Sequence, residues 1–417
     1  MHNATTSPAA SQKTSTAGRR RAHALVLATI FFLSILGSFL LSSCGPASSS
    51  SSEDEETPVS HEEENSSASE KPFEETIPEG VPIIDFGDDM EYYDQAMEQI
   101  GKAIENLEPE IYVKNLARFD WSHIDVKYFW VSGISDTHYS QETEDGYQFS
   151  EYVRFTYNCK KEDIPAMQKE IDSAAEEILS KVPAGTDQWE TARILHDELC
   201  RRVTYDDTLK GTHIRDIYGA LVEGSAVCVG YAYAFDYLME QAAGSGSCQT
   251  VESLDRTHAW NQLSFQTESG RCTLFIDPTW NDLDKQDANG NEYICHDYFC
   301  VTQKELEDIG DEHDLAYTWE QVDEPELFYH VHEGCYQTSY DEKETARIFS
   351  AQLQKGNNML TVRFEKTEDY NKAKKWKDNQ YEILNSILTE AGYFGRYLYW
   401  ENDDMQIINV GLNAPEA

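Results

Sequence analysis

The sequence predicts an α+β protein whose core sets a cysteine at the N-terminus of a helix, with a histidine and an aspartate on antiparallel strands. Three observations predict it. The first is an ordered trio: Cys228 in Gly224-Ser225-Ala226-Val227-Cys228-Val229-Gly230-Tyr231, His258 in His258-Ala259-Trp260-Asn261, and Asp277 in Ile276-Asp277-Pro278-Thr279-Trp280. The second is helical phase after the cysteine, where Tyr231, Phe235, Leu238 and Ala242 share one face and Gly224-Ser225 suits a turn into the helix. The third is alternation from Thr257 to Phe265 and again from Thr273 to Asp277, around a turn cluster Glu268-Ser269-Gly270. That pattern reads as two strands of a hairpin.

These residue types in this order are the parts of a thiol nucleophile, its base and the base's orienter. A thiol attacks a carbonyl only as thiolate, so it needs an imidazole or a helix N-terminus beside it. Cys228 in a first helical turn meets free N–H groups and the positive end of the helix dipole. His258 and Asp277 on neighbouring strands can face each other. One ring nitrogen then reaches the carboxylate and the other faces the thiol. Taken singly, Cys228 reads as a small buried hydrophobe and His258 as a satisfied polar group in a strand. It is the trio with its flanking boxes that points to a site.

Those boxes resemble the transglutaminase-like superfamily, in its bacterial, papain-like cysteine-enzyme branch. His196-Asp197-Glu198-Leu199, then Val203-Thr204-Tyr205-Asp206, resemble the helix and Tyr-Asp segment ahead of the nucleophile. Tyr218 to Gly224 resembles the lead-in to the cysteine, and Tyr298-Phe299 the aromatic pair after the Asp box. The resemblance covers about residues 160–305, with a weaker likeness over 85–160. It implies a papain/transglutaminase-like core with Cys228 as nucleophile, His258 as base and Asp277 as orienter, and needs no cofactor. The superfamily includes transglutaminases, peptidases, deamidating enzymes and inactive members, so it fixes the chemistry better than the substrate. One departure is the Gly/Ser-rich turn from Ala243 to Ser247 with a short strand, Cys248 to Val251, where the family places a Gly-Ile-type turn and a strand.

Residues 1–43 read as a targeting segment. Arg19-Arg20-Arg21 is a basic start, Ala24 to Leu41 an apolar run, and Leu41-Ser42-Ser43-Cys44 resembles a bacterial lipobox. The expectation is cleavage before Cys44, lipidation of its sulfur, and anchoring on the outer face of a bacterial membrane. An uncleaved signal anchor is the alternative, and both readings export the globular part. Residues 44–80 are a Ser/Glu-rich tether with too little apolar surface to pack.

Acidic residues outnumber basic ones 76 to 33, a net charge of −43, which opposes nucleic acid and anionic membrane surfaces. Solubility alone explains most of these charges. Of nine cysteines, Cys44 is the lipid site and Cys228 the nucleophile. No C-x-x-C pair suggests zinc. Cys248 with Cys272, and Cys295 with Cys300, are candidate disulfides of an exported protein; buried thiols are the alternative.

Residues 81–185 read as an α/β lead-in. It has a helix over 85–106, strands over 126–131 and 147–157, and a helix through Ile164, Met167, Ile171 and Ile178. Residues 186–338 read as the catalytic core, opening with a helix over 187–202. Residues 339–417 read as a small β-α-β-β unit of their own. No period of 20–50 residues appears, so a solenoid is not expected. Asp282, Asp284, Asp287 and Asn289-Gly290 miss the calcium-loop spacing. His330-Val331-His332 would put two histidines on one strand face, with no third ligand evident.

The expected function is a lipid-anchored, extracytoplasmic cysteine enzyme acting on amide bonds through a thioester, with hydrolysis slightly ahead of crosslinking. The expected partner is a protein or peptide substrate, cell-wall peptide among the candidates. The alternative is an inactive surface-binding lipoprotein that keeps the fold.

Overall fold

A computed structural model describes residues 77–85, 90–114, 124, 127–143, 146–310, 313–315 and 324–415. Cys44, the apolar run before it and almost all of the tether lie outside the described residues. No described helix is long and apolar enough to cross a membrane. The chain is mixed α+β and divides into two compact units. One holds the described residues of 28–119 and 134–155, the other those of 120–133 and 156–417.

The first unit contains β1 (Ile83–Asp85), α1 (Met90–Glu105) and β2 (Glu110–Lys114), followed by β3 (Val131–Thr143) and β4 (Gly146–Tyr157). The sheet runs β1-β2-β4-β3. Ile111 and Val113 of β2, with Val153 of β4, are among its fully buried side chains. The strand expected to end at 131 instead begins there: Tyr128 N closes a turn on Ile124 O, so the run before Val131 is not extended.

The second unit follows with α2 (Ile164–Leu179), α3 (Gln188–Arg202), β5 (Thr204–Tyr205), β6 (Ser225–Ala226), α4 (Cys228–Ala243), β7 (Cys248–Glu252), β8 (Ala259–Thr267) and β9 (Gly270–Ile276). The Asp box forms a one-turn helix α5 (Pro278–Asn281), and then come β10 (Asp282–Gln286), β11 (Glu292–Ile294), β12 (Phe299–Val301) and α6 (Gln303–Glu307). Strands order as β12-β9-β8-β7, with antiparallel pairs throughout. The expected hairpin is present, β8 and β9 turning at Glu268-Ser269. Helix α4 lies on this sheet, held by Asn261 Nδ2 and Thr250 Oγ1 donating to Ala232 O at 2.9 and 3.3 Å.

The chain closes with α7 (Tyr329–His332), β13 (Tyr336–Gln337), α8 (Glu342–Gln354), β14 (Met359–Phe364), α9 (Thr367–Ala373), α10 (Glu382–Ala391), β15 (Tyr397–Asn402) and β16 (Ile407–Leu412). The three strands expected over 359–412 are present, but two helices, α9 and α10, stand where one was expected, and β13 and α8 precede them. Residues 339–417 nevertheless belong to the same compact unit as the core. Met405 and Ile407 share one buried apolar cluster with Trp260, Phe275 and Tyr298. Asp297 accepts hydrogen bonds from Asn402 at 2.9 Å and from Asn409 at 3.0 Å.

Two further expectations change. His330-Val331-His332 is a helical turn, not a strand; His330 is buried beside Thr361 and the His332 ring stacks on Trp189 at 3.6 Å. The eight described cysteines stand as thiols, so neither candidate disulfide forms. Burial in the packed core accounts for seven of them without a bond.

Candidate active site

The approach to Cys228 is fixed by one buried carboxylate. Asp216 Oδ1 accepts from the Tyr218 and Gly219 N–H groups at 2.9 and 3.2 Å, and its Oδ2 meets Asn158 Nδ2 at 2.7 Å and His213 Nδ1 at 2.8 Å. The chain then makes a π-helical turn, Gly219–Glu223, closed by Gly224 at φ +69, a conformation that favours glycine. Two residues pair as β5–β6, and the extended Val227 leads straight into α4. Cys228 is its first residue. No side chain caps this helix, so the positive end of its dipole faces the thiol. Gly230 lets the first turn pack closely: a Cβ there would sit 2.8 Å from Ile214 O.

His258 stands just before β8 and Asp277 just after β9. The register Asn261↔Ile276 brings these two strand ends together. His258 Nε2 lies 2.6 Å from Asp277 Oδ2. Its other nitrogen, Nδ1, is not used by that carboxylate, and the Cys228 side chain is among the groups that act on the same imidazole. All three sequence-predicted residues therefore meet, and all are buried: Cys228 is 6% exposed, His258 7% and Asp277 0%. Burial alone would push the imidazole pKa down. The Asp277 carboxylate, with the Cys228 contact behind it, outweighs that and holds it up at about 10. Burial would likewise raise Asp277; the His258 charge and the hydrogen bonds from two histidines hold it well below the usual carboxylate range.

The second of those histidines is His313, which the sequence gave no reason to single out. Its Nε2 lies 2.9 Å from the same Oδ2. Asp277 Oδ1 accepts the Trp280 N–H at 2.9 Å as the N-cap of α5. Three donors thus hold a fully buried carboxylate, which is what keeps it ionised. Rings enclose the cluster. Trp260 lies parallel to His258 at 5.7 Å and Trp280 tilts against it at 5.8 Å. Trp260 is wholly buried, so it belongs to the core and not to a cleft wall.

A second trio of the same types lies nearby. Cys200 Sγ is 3.7 Å from His196 Nε2, and His196 Nδ1 is 3.0 Å from Asp197 Oδ1. Its surroundings give the opposite outcome. Cys200 sits in the last turn of α3, where the dipole disfavours an anion. Burial, then Asp282 and Asp197, pushes its thiol well above the ordinary value. Burial keeps His196 neutral, its pKa brought down to about 4. This trio braces the Asp box instead. Asn281 Nδ2 donates to His196 Nε2 at 3.2 Å, Asn281 Oδ1 accepts the Tyr298 N–H at 3.0 Å, and the Cys200 thiol donates to Pro278 O at 3.6 Å. The His-Asp motif of α3 therefore supports the Asp box from behind.

Among the described residues, two groups offer ligand atoms close enough for a metal: His196, Asp197 and His296, and His258, Asp277 and His313. In each, a carboxylate oxygen already accepts from two imidazoles. Asp197 also accepts from Arg193 at 2.9 Å, so its bonds are matched without an ion. The acidic run after the Asp box forms β10, and Asp287 closes the next turn on Asn289 and Asn291. Asp206 caps its own turn through Thr208 and Leu209.

No family model and no curated protein matches this chain. Among solved structures it is similar to menin, in a crystal structure that reveals the binding site for Mixed Lineage Leukemia protein. The identity is 13% and the TM-score 0.22, over 56% of this chain and 60% of that one. At that score the likeness carries no argument about fold or function.

Proposed function

We propose that this protein is a lipid-anchored, extracytoplasmic cysteine enzyme of the transglutaminase-like superfamily. Its papain-like core would act on amide bonds through Cys228, His258 and Asp277. The observation that carries the reading is that His258, held to Asp277 at 2.6 Å, is also acted on by the Cys228 side chain, with Cys228 opening a helix. The Cys228 sulfur attacks an amide carbonyl, and the oxyanion is held by backbone N–H groups including that of Cys228. The new C–S bond replaces the C–N bond as His258 passes its proton to the leaving amine. Water then hydrolyses the thioester, or an amine takes the acyl group. Hydrolysis stands ahead, because water needs no acceptor site. The substrate is a protein or peptide outside the membrane, a wall peptide stem among the candidates, reached from a lipid on Cys44.

A second reading, a surface-binding lipoprotein that keeps the fold, is favoured by one observation: Cys228 is only 6% exposed. Turnover of glutamine-containing and wall-type peptides by the wild type separates the two. The enzyme reading predicts turnover that Cys228→Ala removes, by a factor of 10³ or more, with unchanged circular dichroism. Binding without turnover, indifferent to that change, supports the second.

A further inference from the structure

The inference concerns His313, and it rests on the reading of Cys228, His258 and Asp277 as an active site. We infer that His313 is a positioning residue: as a neutral imidazole it donates Nε2–H to Asp277 Oδ2, fixing that carboxylate and drawing off part of the charge it presents to His258. The two histidines approach the same oxygen, at 2.6 and 2.9 Å, with their rings 5.0 Å apart and nearly perpendicular. A carboxylate oxygen only accepts, so both nitrogens facing it carry hydrogen. That places the proton of His313 on Nε2.

Its Nδ1 is buried and has no partner among the described residues. A charged His313 would strand a second N–H inside a cage of Trp260, Trp280 and Tyr298, whose centroids lie 4.8, 4.5 and 6.5 Å away. The ring therefore stays neutral, and burial in that cage holds its pKa below the ordinary value. The segment carrying it is tied to the site: Leu254 N–H, in the loop before His258, donates to Asp314 O at 2.9 Å. The charged or titratable groups that act on this cluster are Asp277, His258 and Asp314 around His313, Cys228 against His258, and Tyr205 near Asp277.

The consequence is chemical. An imidazolium paired with an unshared buried carboxylate is a weak proton donor to a leaving amine. A second N–H on the same oxygen weakens that hold without removing it. Loss of His313 should therefore raise the pKa of His258, whereas loss of a merely structural side chain would lower stability and leave that pKa alone.

The test uses full-length protein labelled with ¹⁵N-histidine, with His313→Gln supplying the assignment. NMR should show His313 neutral, protonated on Nε2, throughout pH 5.5 to 8.5. The pH profile of Cys228 alkylation by iodoacetamide should then move its upper inflection up by at least half a unit in His313→Leu. It should return toward wild type in His313→Gln, whose side-chain N–H reaches the same oxygen. A proton on Nδ1, titration of His313 in that range, or a folded His313→Leu protein with an unmoved inflection overturns the inference. If His313→Leu does not fold, the tautomer and the His313→Gln profile decide. Slow wild-type labelling, indifferent to His258→Ala, is a different result: it removes the active-site reading itself, and the positioning role with it, even where the tautomer is as expected.

Discussion

At the scale of single residues, environment and not identity decides what a side chain does here. Cys228 and Cys200 each lie against a histidine that bonds an aspartate, yet one opens a helix and the other ends one. Asp277 and Asp282 are both buried acids five positions apart. Asp277 has two histidines on one oxygen, whereas Asp282 accepts from the Tyr231 O–H at 2.8 Å and from the Asp284 N–H at 3.0 Å. Burial, with Asp284 beside it, pushes Asp282 up to about 7. Its folded-state pKa stands above the unfolded value of about 3.9, so the protonated acid favours the fold. That contribution is complete below about pH 3.9 and is lost as pH rises through about 7. Asp282→Asn should therefore stabilise the protein at pH 8, by about 1–3 kcal/mol, and give no gain at pH 4. Thermal melts at the two pH values check this; equal effects at both would refute it.

At the scale of elements, most of the site was legible in the sequence. Helical phase after Cys228 and period-two alternation around His258 and Asp277 are backbone signals; they put Cys228 at the start of α4, but His258 and Asp277, read as strand residues, stand just before β8 and just after β9. Two things were not legible. His313 lies beyond α6 in a stretch of sequence with no periodicity to fix its direction, so only the folded chain brings it to Asp277. The motif His196-Asp197 was visible, but its work was not. It acts through Asn281 and Pro278, partners a whole strand hairpin away in sequence. Short-range pattern also misled at His330 to His332, where alternation of only three residues could not separate a strand from one helical turn. Trp260, two residues after His258, faces the core, because β8 is buried along nearly all its length.

At the scale of the whole molecule, the boundary expected near residue 339 is not a boundary in the packing. Met405 and Ile407 lie in the same apolar cluster as Trp260, next to His258, and Asn402 and Asn409 satisfy Asp297. Arg363 also pairs with Glu305, and Tyr293 O–H donates to Leu412 O. Composition could not reveal this, because the C-terminal strands are patterned like those of any small sheet. A chain ending at residue 338 should therefore expose Trp260, Phe275 and Tyr298, bind a hydrophobic dye, and lose its cooperative melt. A truncated protein melting within a few degrees of full length would show instead that the last 79 residues fold apart. At the same scale, the excess of acid over base bears on partners: attraction to cationic groups should fade with added salt, over a Debye length of about 8 Å at physiological ionic strength.

The central claim is that Cys228 and His258 form a working pair, and one measurement addresses it most directly: the pH dependence of Cys228 alkylation in wild type and in His258→Ala. The account predicts rapid labelling well below the ordinary thiol pKa of about 8.5, slowed by a factor of ten or more without the imidazole. Slow labelling that rises only near that ordinary value, and is unchanged by His258→Ala, would contradict it.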